Sequence, residues 1–196
     1  MVALLAIAVI LSVDHYRDLI APPILSDMLL YLVAPLLIIT LIWRRSPLDF
    51  GLRFGHWRAG LAWTAGGIVL MAGVGWLFLQ LPGFPSYYAG YFALHNPGGD
   101  VWTGIALSGV QMFGWEFLFR GFLLFALAEI FDADAVWIQM VPFAMAHFGK
   151  PEWETYASIP GGLLAGWIAY RVGAFWPAWL IHWALAISMH LLMGTL

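Results

Sequence analysis

Glu116, Arg120, His147 and His182 are ionisable residues set in stretches that are otherwise apolar. In such surroundings a charge that persists needs a partner or a purpose. Glu116 and Arg120 stand four residues apart, hence on one face of a helix, where they can form an ion pair that neutralises itself. A carboxylate and an imidazole can share a water and draw off its proton. A second imidazole N–H can stabilise the oxyanion formed when that water attacks a carbonyl. If Glu116, His147 and His182 converge, the chemistry is hydrolysis without a covalent enzyme intermediate. The plainer use of each histidine taken singly is an interhelical hydrogen bond, which is the commoner role inside a membrane.

Two other chemistries use the same residue types. Histidine and glutamate bind zinc, but no His-Glu-x-x-His pair is present. His182 and His190 are eight residues apart, about two helical turns, too far to share an ion unaided. A metal-dependent hydrolase therefore ranks below metal-free hydrolysis, and no metal or other cofactor is expected. Transport along buried charges ranks third, because one self-compensated pair makes a thin proton relay.

The elements that must position these residues follow from composition. The chain has 196 residues, 63% of them hydrophobic and 10% charged. Soluble domains run near ~25% charged, so a water-soluble domain is excluded. At ~20 residues per span there is room for about six or seven transmembrane helices. The expected fold is an all-α polytopic bundle forming one membrane domain over residues 1–196, with the bilayer as its first partner. A net charge of −3 without a basic cluster disfavours nucleic acid. With no cysteine, disulfides, iron–sulfur clusters and cysteine nucleophiles are excluded.

Along the chain, Met1 to Val13 is apolar without a preceding basic residue, which suits a short or re-entrant helix rather than a cleaved leader. Leu25 to Trp43 reads as a span, and Ser46 to Ala59 as an interfacial segment of aromatics and arginines. Gly60 to Leu81 is a second span. Pro82 to Gly99, rich in proline, glycine and tyrosine, reads as a loop. Four of the eight Lys/Arg residues lie between Arg44 and Arg58, so the positive-inside rule places loop 44–59 in the cytoplasm.

Val101 to Phe131 is a long apolar stretch interrupted by glycines, where a tilt or break is expected. Asp134 to His147 is short and contains Pro142, with Asp132 and Asp134 as candidate N-caps. Glu152 to Arg171 and Phe175 to Leu196 complete the set. Gly162 and Gly166 form a stripe that lets helices approach closely, and Gln111 suits a helix–helix hydrogen bond. At ~1.5 Å rise per residue, Glu116 is ~21 Å from Ile130, His147 ~20 Å from Asp134, and His182 ~10 Å from Phe175. All three can lie at overlapping depths.

Three motifs occur in order: Trp115-Glu116-Phe117-Leu118-Phe119-Arg120, then Phe143-Ala-Met-Ala-His147, then His182-Trp-Ala-Leu-Ala186. Over about residues 100–190 the sequence resembles the CPBP intramembrane proteases. That family includes the CAAX prenyl endopeptidases (Rce1-like) and the bacteriocin-immunity or Abi proteins. Its pattern is Glu-Glu-x-x-x-Arg, Phe-x-x-x-His and His-x-x-x-Asn.

The resemblance implies an endopeptidase acting on a membrane-embedded or lipid-modified peptide, in the inner (plasma) membrane of a bacterium. It carries over Glu116, His147 and His182 as catalytic, with Arg120 in support. Two positions depart from the pattern. Trp115 replaces the first glutamate, regarded in the family as the water-activating base, and Ala186 replaces the closing polar residue. Glu116 projects ~100° around the helix from position 115, so it needs a local rotation, for which Gly114 is the candidate, to take over. Glu154 is a further carboxylate able to approach the mouth of a site. The departures leave two classes of function: an endopeptidase in which Glu116 and His147 activate water and His182 supports the oxyanion, or an inactive scaffold or immunity protein.

Overall fold

The computed structural model describes residues 2–17, 19–96 and 99–193. The described residues are helical with no strand. Inside lipid every backbone N–H and C=O must be bonded within its own segment, which a helix achieves. In chain order the elements are α1 (Val2–Tyr16), α2 (Pro23–Ile42), α3 (Trp57–Leu79) and α4 (Phe84–His95). They continue with α5 (residues 101–131), α6 (Ala135–Met145), α7 (Glu152–Val172) and α8 (Trp176–Met193). Helices α2, α3 and α8 are long and apolar enough to cross a bilayer, against the six or seven spans that length alone allows. Their outer faces expose side chains such as Leu41, Val69 and Trp76, as a surface in contact with lipid requires.

The core forms around the middle of α5. Phe117, Leu118, Phe119, Phe122, Leu123 and Leu124 are fully buried beneath α1, α2, α6 and the segment after α2. Here α5 leaves the α-helical winding and runs as a π-helix over Phe117–Leu123. The expected interruption is therefore a change of winding rather than a break, and it begins after Glu116 instead of at Gly114. Gly114 is regular helix, held against Met28 and Tyr31 of α2. π-Turns insert an extra residue and are typically confined to single turns.

Three sequence expectations are corrected. Residues 82–99 are not merely a loop, because α4 occupies most of them. Gly83, in the left-handed region at φ 79°, turns the chain, and Pro85 falls in the first helical turn, where a missing N–H breaks no bond. Phe84 then packs on Phe78, and Phe92 stacks on His190 of α8 at 3.8 Å. Asp132 and Asp134 do not cap α6; neither side chain accepts a cap hydrogen bond, and Asp132 is engaged by the Tyr170 hydroxyl instead. Helix α6 ends at Met145, so His147 lies in the following turn. At 11 residues it is only ~16 Å long, short of the ~30 Å hydrocarbon core.

Asp100 caps α5, its carboxylate accepting from the Trp102 and Thr103 amides at 2.8 and 3.1 Å. Gly162 and Gly166 of α7 do serve close packing. A Cβ at Gly162 meets Phe143 at 2.9 Å, and one at Gly166 meets Gln139 at 2.4 Å. At the end of the bundle near loop 44–59, Arg45 pairs with Glu129 and Asp49, and Arg53 donates to the Gly173 carbonyl at 2.8 Å.

Candidate active site

All five residues singled out in the sequence, Glu116, Arg120, His147, Glu154 and His182, line one cavity of about 290 Å³. They come from α5, the turn after α6, α7 and α8. Its walls are otherwise mostly apolar, with Met71 and Val74 of α3, Leu164 and Ile168 of α7, and Ile181 and Leu185 of α8.

Glu116 is the hub. Its Oε1 accepts from Arg120 Nη1 at 3.0 Å and from His182 Nδ1 at 2.6 Å. The carboxylate is buried, and its second oxygen, Oε2, has no hydrogen-bond partner among the described residues. Arg120 is fully buried as well. Its guanidinium stacks 3.7 Å over the Phe143 ring and reaches the Gly162 carbonyl at 3.5 Å. A buried ion pair needs further contacts to support its members. His182 and Gly162 supply hydrogen bonds and the Phe143 face a cation–π contact, while Arg120 Nε, like Glu116 Oε2, has no hydrogen-bond partner among the described residues.

The two histidines are held in the same way. Nδ1 of His147 donates to the Phe143 carbonyl at 2.8 Å, leaving Nε2 without a hydrogen-bond partner among the described residues. Nδ1 of His182 is engaged by Glu116, and Nε2 again carries no hydrogen bond to the described residues. The group bound by one ring nitrogen sets the tautomer and the direction of the other. Thr155 further fixes this turn, its hydroxyl donating to the His147 carbonyl at 2.8 Å. Glu154 accepts from Lys150 Nζ at 3.1 Å and from the Tyr88 hydroxyl at 2.6 Å.

Trp115 points elsewhere. It is packed against Tyr31, Phe119 and the edge of His147 at ring separations of 5.1, 5.2 and 5.9 Å. It lines a second cavity of about 220 Å³ rather than the first. Ala186 lies one turn beyond His182 in α8 and offers no polar side-chain atom. Among the described residues no three His, Asp or Glu side chains are grouped to hold a metal ion. Oε1 of Glu116 and Nδ1 of His182 are committed to each other.

Several polar residues here escaped the sequence reading. Gln139 is buried and donates to the Val136 and Gly162 carbonyls. Tyr88 reaches Glu154, and Tyr91 donates to Gln111 at 2.9 Å. Their spacing of three residues was a usable signal, but only once residues 84–95 are known to be helical. Gln111 itself donates to Asp27 at 2.5 Å, the helix–helix bond expected of it.

Residues 97–188 match the family model described as type II CAAX prenyl endopeptidase Rce1-like. No curated protein and no solved structure matches the chain. The matched segment holds every motif residue and four of the helices that build the cavity. The part of this integral membrane protein that carries the candidate site belongs to the Rce1-like family.

Proposed function

We propose that the protein is an intramembrane endopeptidase that hydrolyses a membrane-embedded or lipid-modified peptide of the CAAX kind, using water activated by histidine. The observation that carries this reading is the Glu116–His182 hydrogen bond of 2.6 Å in a cavity that His147 also lines. A carboxylate on Nδ1 orients an imidazole and stabilises the imidazolium, so Nε2 becomes a competent base. Family membership supports the substrate class, and the apolar walls suit an apolar peptide segment or lipid chain.

In the proposed reaction, Nε2 of His182 takes a proton from a water whose oxygen attacks the scissile carbonyl carbon. His147 holds the same water through its own Nε2. The tetrahedral species collapses with cleavage of the C–N bond, and the imidazolium of His182 returns its proton to the leaving amine. Because the Nδ1–H of His182 is given to Glu116, His182 serves as the base rather than as the oxyanion donor anticipated from the motifs. Glu116 and Arg120 act by positioning, and Glu154 braces the mouth through Lys150 and Tyr88.

We place loop 44–59 on the cytoplasmic side of a bacterial inner membrane, within a single membrane domain. The support is that the Arg53–Gly173 bond brings this arginine-rich loop to the end of α7 that carries Arg171.

The test is cleavage of a fluorogenic, isoprenylated peptide by the reconstituted protein. His182→Ala and His147→Ala should each lower kcat by about 10²–10⁴-fold, the span of general acid–base catalysis. Equal cleavage by both variants and the parent removes the mechanism. A parent without cleavage favours the scaffold reading, whose specific support is that Trp115 stands at the first position of the motif.

A further inference from the structure

The second cavity is of a different kind from the first. Its lining includes Asp14 of α1, Asp27 and Tyr31 of α2, Gln111 of α5 and Lys150. Asp27 accepts from Gln111, and Asp14 is hydrogen-bonded to the Tyr31 hydroxyl. At about 220 Å³ it is far larger than the ~10–15 Å³ that one water requires, and its carboxylate and amide groups offer the several polar partners that ordered water needs. Asp14 and Lys150 are partly exposed, and Leu94 on its rim is 63% exposed, so the chamber reaches the surface at a polar edge.

The first cavity reaches the surface along an apolar flank instead, where its lining residues Leu70 and Leu164 are exposed. Among the described residues, His182 alone belongs to both linings. Trp115 and Glu116, consecutive in α5, face the second and the first cavity respectively. The indole therefore helps to wall the polar chamber at the point where the imidazole passes between the two.

We infer that the second cavity is a water-binding chamber that supplies the nucleophile to His182, while the first cavity takes the apolar part of the substrate from the lipid side. This rests on the endopeptidase reading for what the water does, but the division of the two cavities stands apart from it. A polar route is needed because water does not partition into an apolar cavity that an apolar chain already fills. With the two reactants arriving from opposite sides of one imidazole, substrate need not leave before water enters.

The chain contains no cysteine, so one introduced thiol is the only one. Ala146 lines the second cavity and Ala157 the first; neither carries a catalytic group. Ala146→Cys and Ala157→Cys are reconstituted in nanodiscs, which leave both faces open, and treated with a permanently charged methanethiosulfonate. The thiol at 146 should react at least ~10-fold faster than that at 157. With an uncharged, lipid-soluble maleimide the advantage should disappear.

A second variant, Met112→Trp, fills the polar chamber and should lower kcat while leaving KM for the isoprenylated peptide unchanged. Equal charged-reagent rates, or faster reaction at 157, overturn the inference even if the peptide is cleaved. The predicted labelling order in a protein that cleaves nothing upholds the polar chamber and overturns the endopeptidase reading alone. If cleavage occurs and Met112→Trp raises KM without lowering kcat, the chamber holds substrate rather than water, and the inference fails.

Discussion

Glu116 and His182 meet at 2.6 Å although 66 residues of chain separate them. The contact joins the first and third sequence motifs and leaves one nitrogen of the imidazole to the cavity. The same carboxylate oxygen binds Arg120, so the ion pair and the imidazole are parts of one network.

Glu116→Gln removes the charge while keeping the shape. An amide can accept from Nδ1 of His182 but no longer stabilises an imidazolium, and its NH2 end can favour the wrong tautomer. The expected result is a fall of about 10²-fold in kcat with little change in KM, since the substrate pocket is unaltered. Steady-state kinetics on the isoprenylated peptide provide the check. A rise in KM at constant kcat shows Glu116 to be a substrate-binding group instead.

Arg120 is wholly buried beside Glu116. Arg120→Met leaves a buried carboxylate supported by His182 alone, and breaking such a pair costs about 3–5 kcal/mol. The double variant with Glu116→Leu removes both charges and should recover most of that loss, while remaining inactive. Thermal unfolding in detergent measures both. A double variant no more stable than Arg120→Met indicates that the guanidinium serves chiefly by packing on Phe143.

How much of this was legible depended on whether a feature is local. The Glu116–Arg120 pair follows from a spacing of four, and the approach of His147 and His182 from matching depths along three helices. Trp115 and Glu116 are adjacent, so helical geometry alone sends them in different directions. The π-helical turn at Phe117–Leu123 left no mark on the hydrophobic pattern, because every residue there except Arg120 and Gly121 is apolar and all are buried. Helix α4 was missed because Gly83 and Pro85 read as loop residues although at its start they open a helix, and Gly90 within it adds to the same signal. The second cavity depends on Asp14 and Asp27 of the N-terminal helices reaching Tyr31 and Gln111, a tertiary arrangement that neither helix reveals by itself.

Asp100 offers a test of pH dependence outside the bundle interior. The Thr103 hydroxyl, followed by the Thr103 and Trp102 amides, holds its carboxyl below the usual aspartate range. A carboxylate with a depressed folded-state pKa stabilises the fold above its unfolded value of ~3.9 and loses that contribution as pH falls through the folded value. Asp100→Ala should therefore melt at a lower temperature than the parent at pH 7, and the gap should close progressively below about pH 4. Asp100→Asn should retain much of the cap at neutral pH, since asparagine is also a good N-cap. A gap that persists unchanged at the acid end shows that the loss comes from chain packing rather than from the charge.

Phe143 joins the parts of the site physically. Its ring lies under the Arg120 guanidinium at 3.7 Å and beside His147 at 4.6 Å, while its carbonyl receives the His147 Nδ1–H. Phe143→Leu preserves the carbonyl, and so the His147 tautomer, but removes the aromatic face. The lost cation–π contact at this desolvated position is worth about 2 kcal/mol, and the thermal midpoint should fall accordingly. Activity should fall less than in His147→Ala, because the ring nitrogens remain in place. Phe143→Tyr keeps the aromatic face and should restore stability. If Phe143→Leu instead abolishes cleavage while melting like the parent, the ring acts on the bound peptide itself rather than through Arg120.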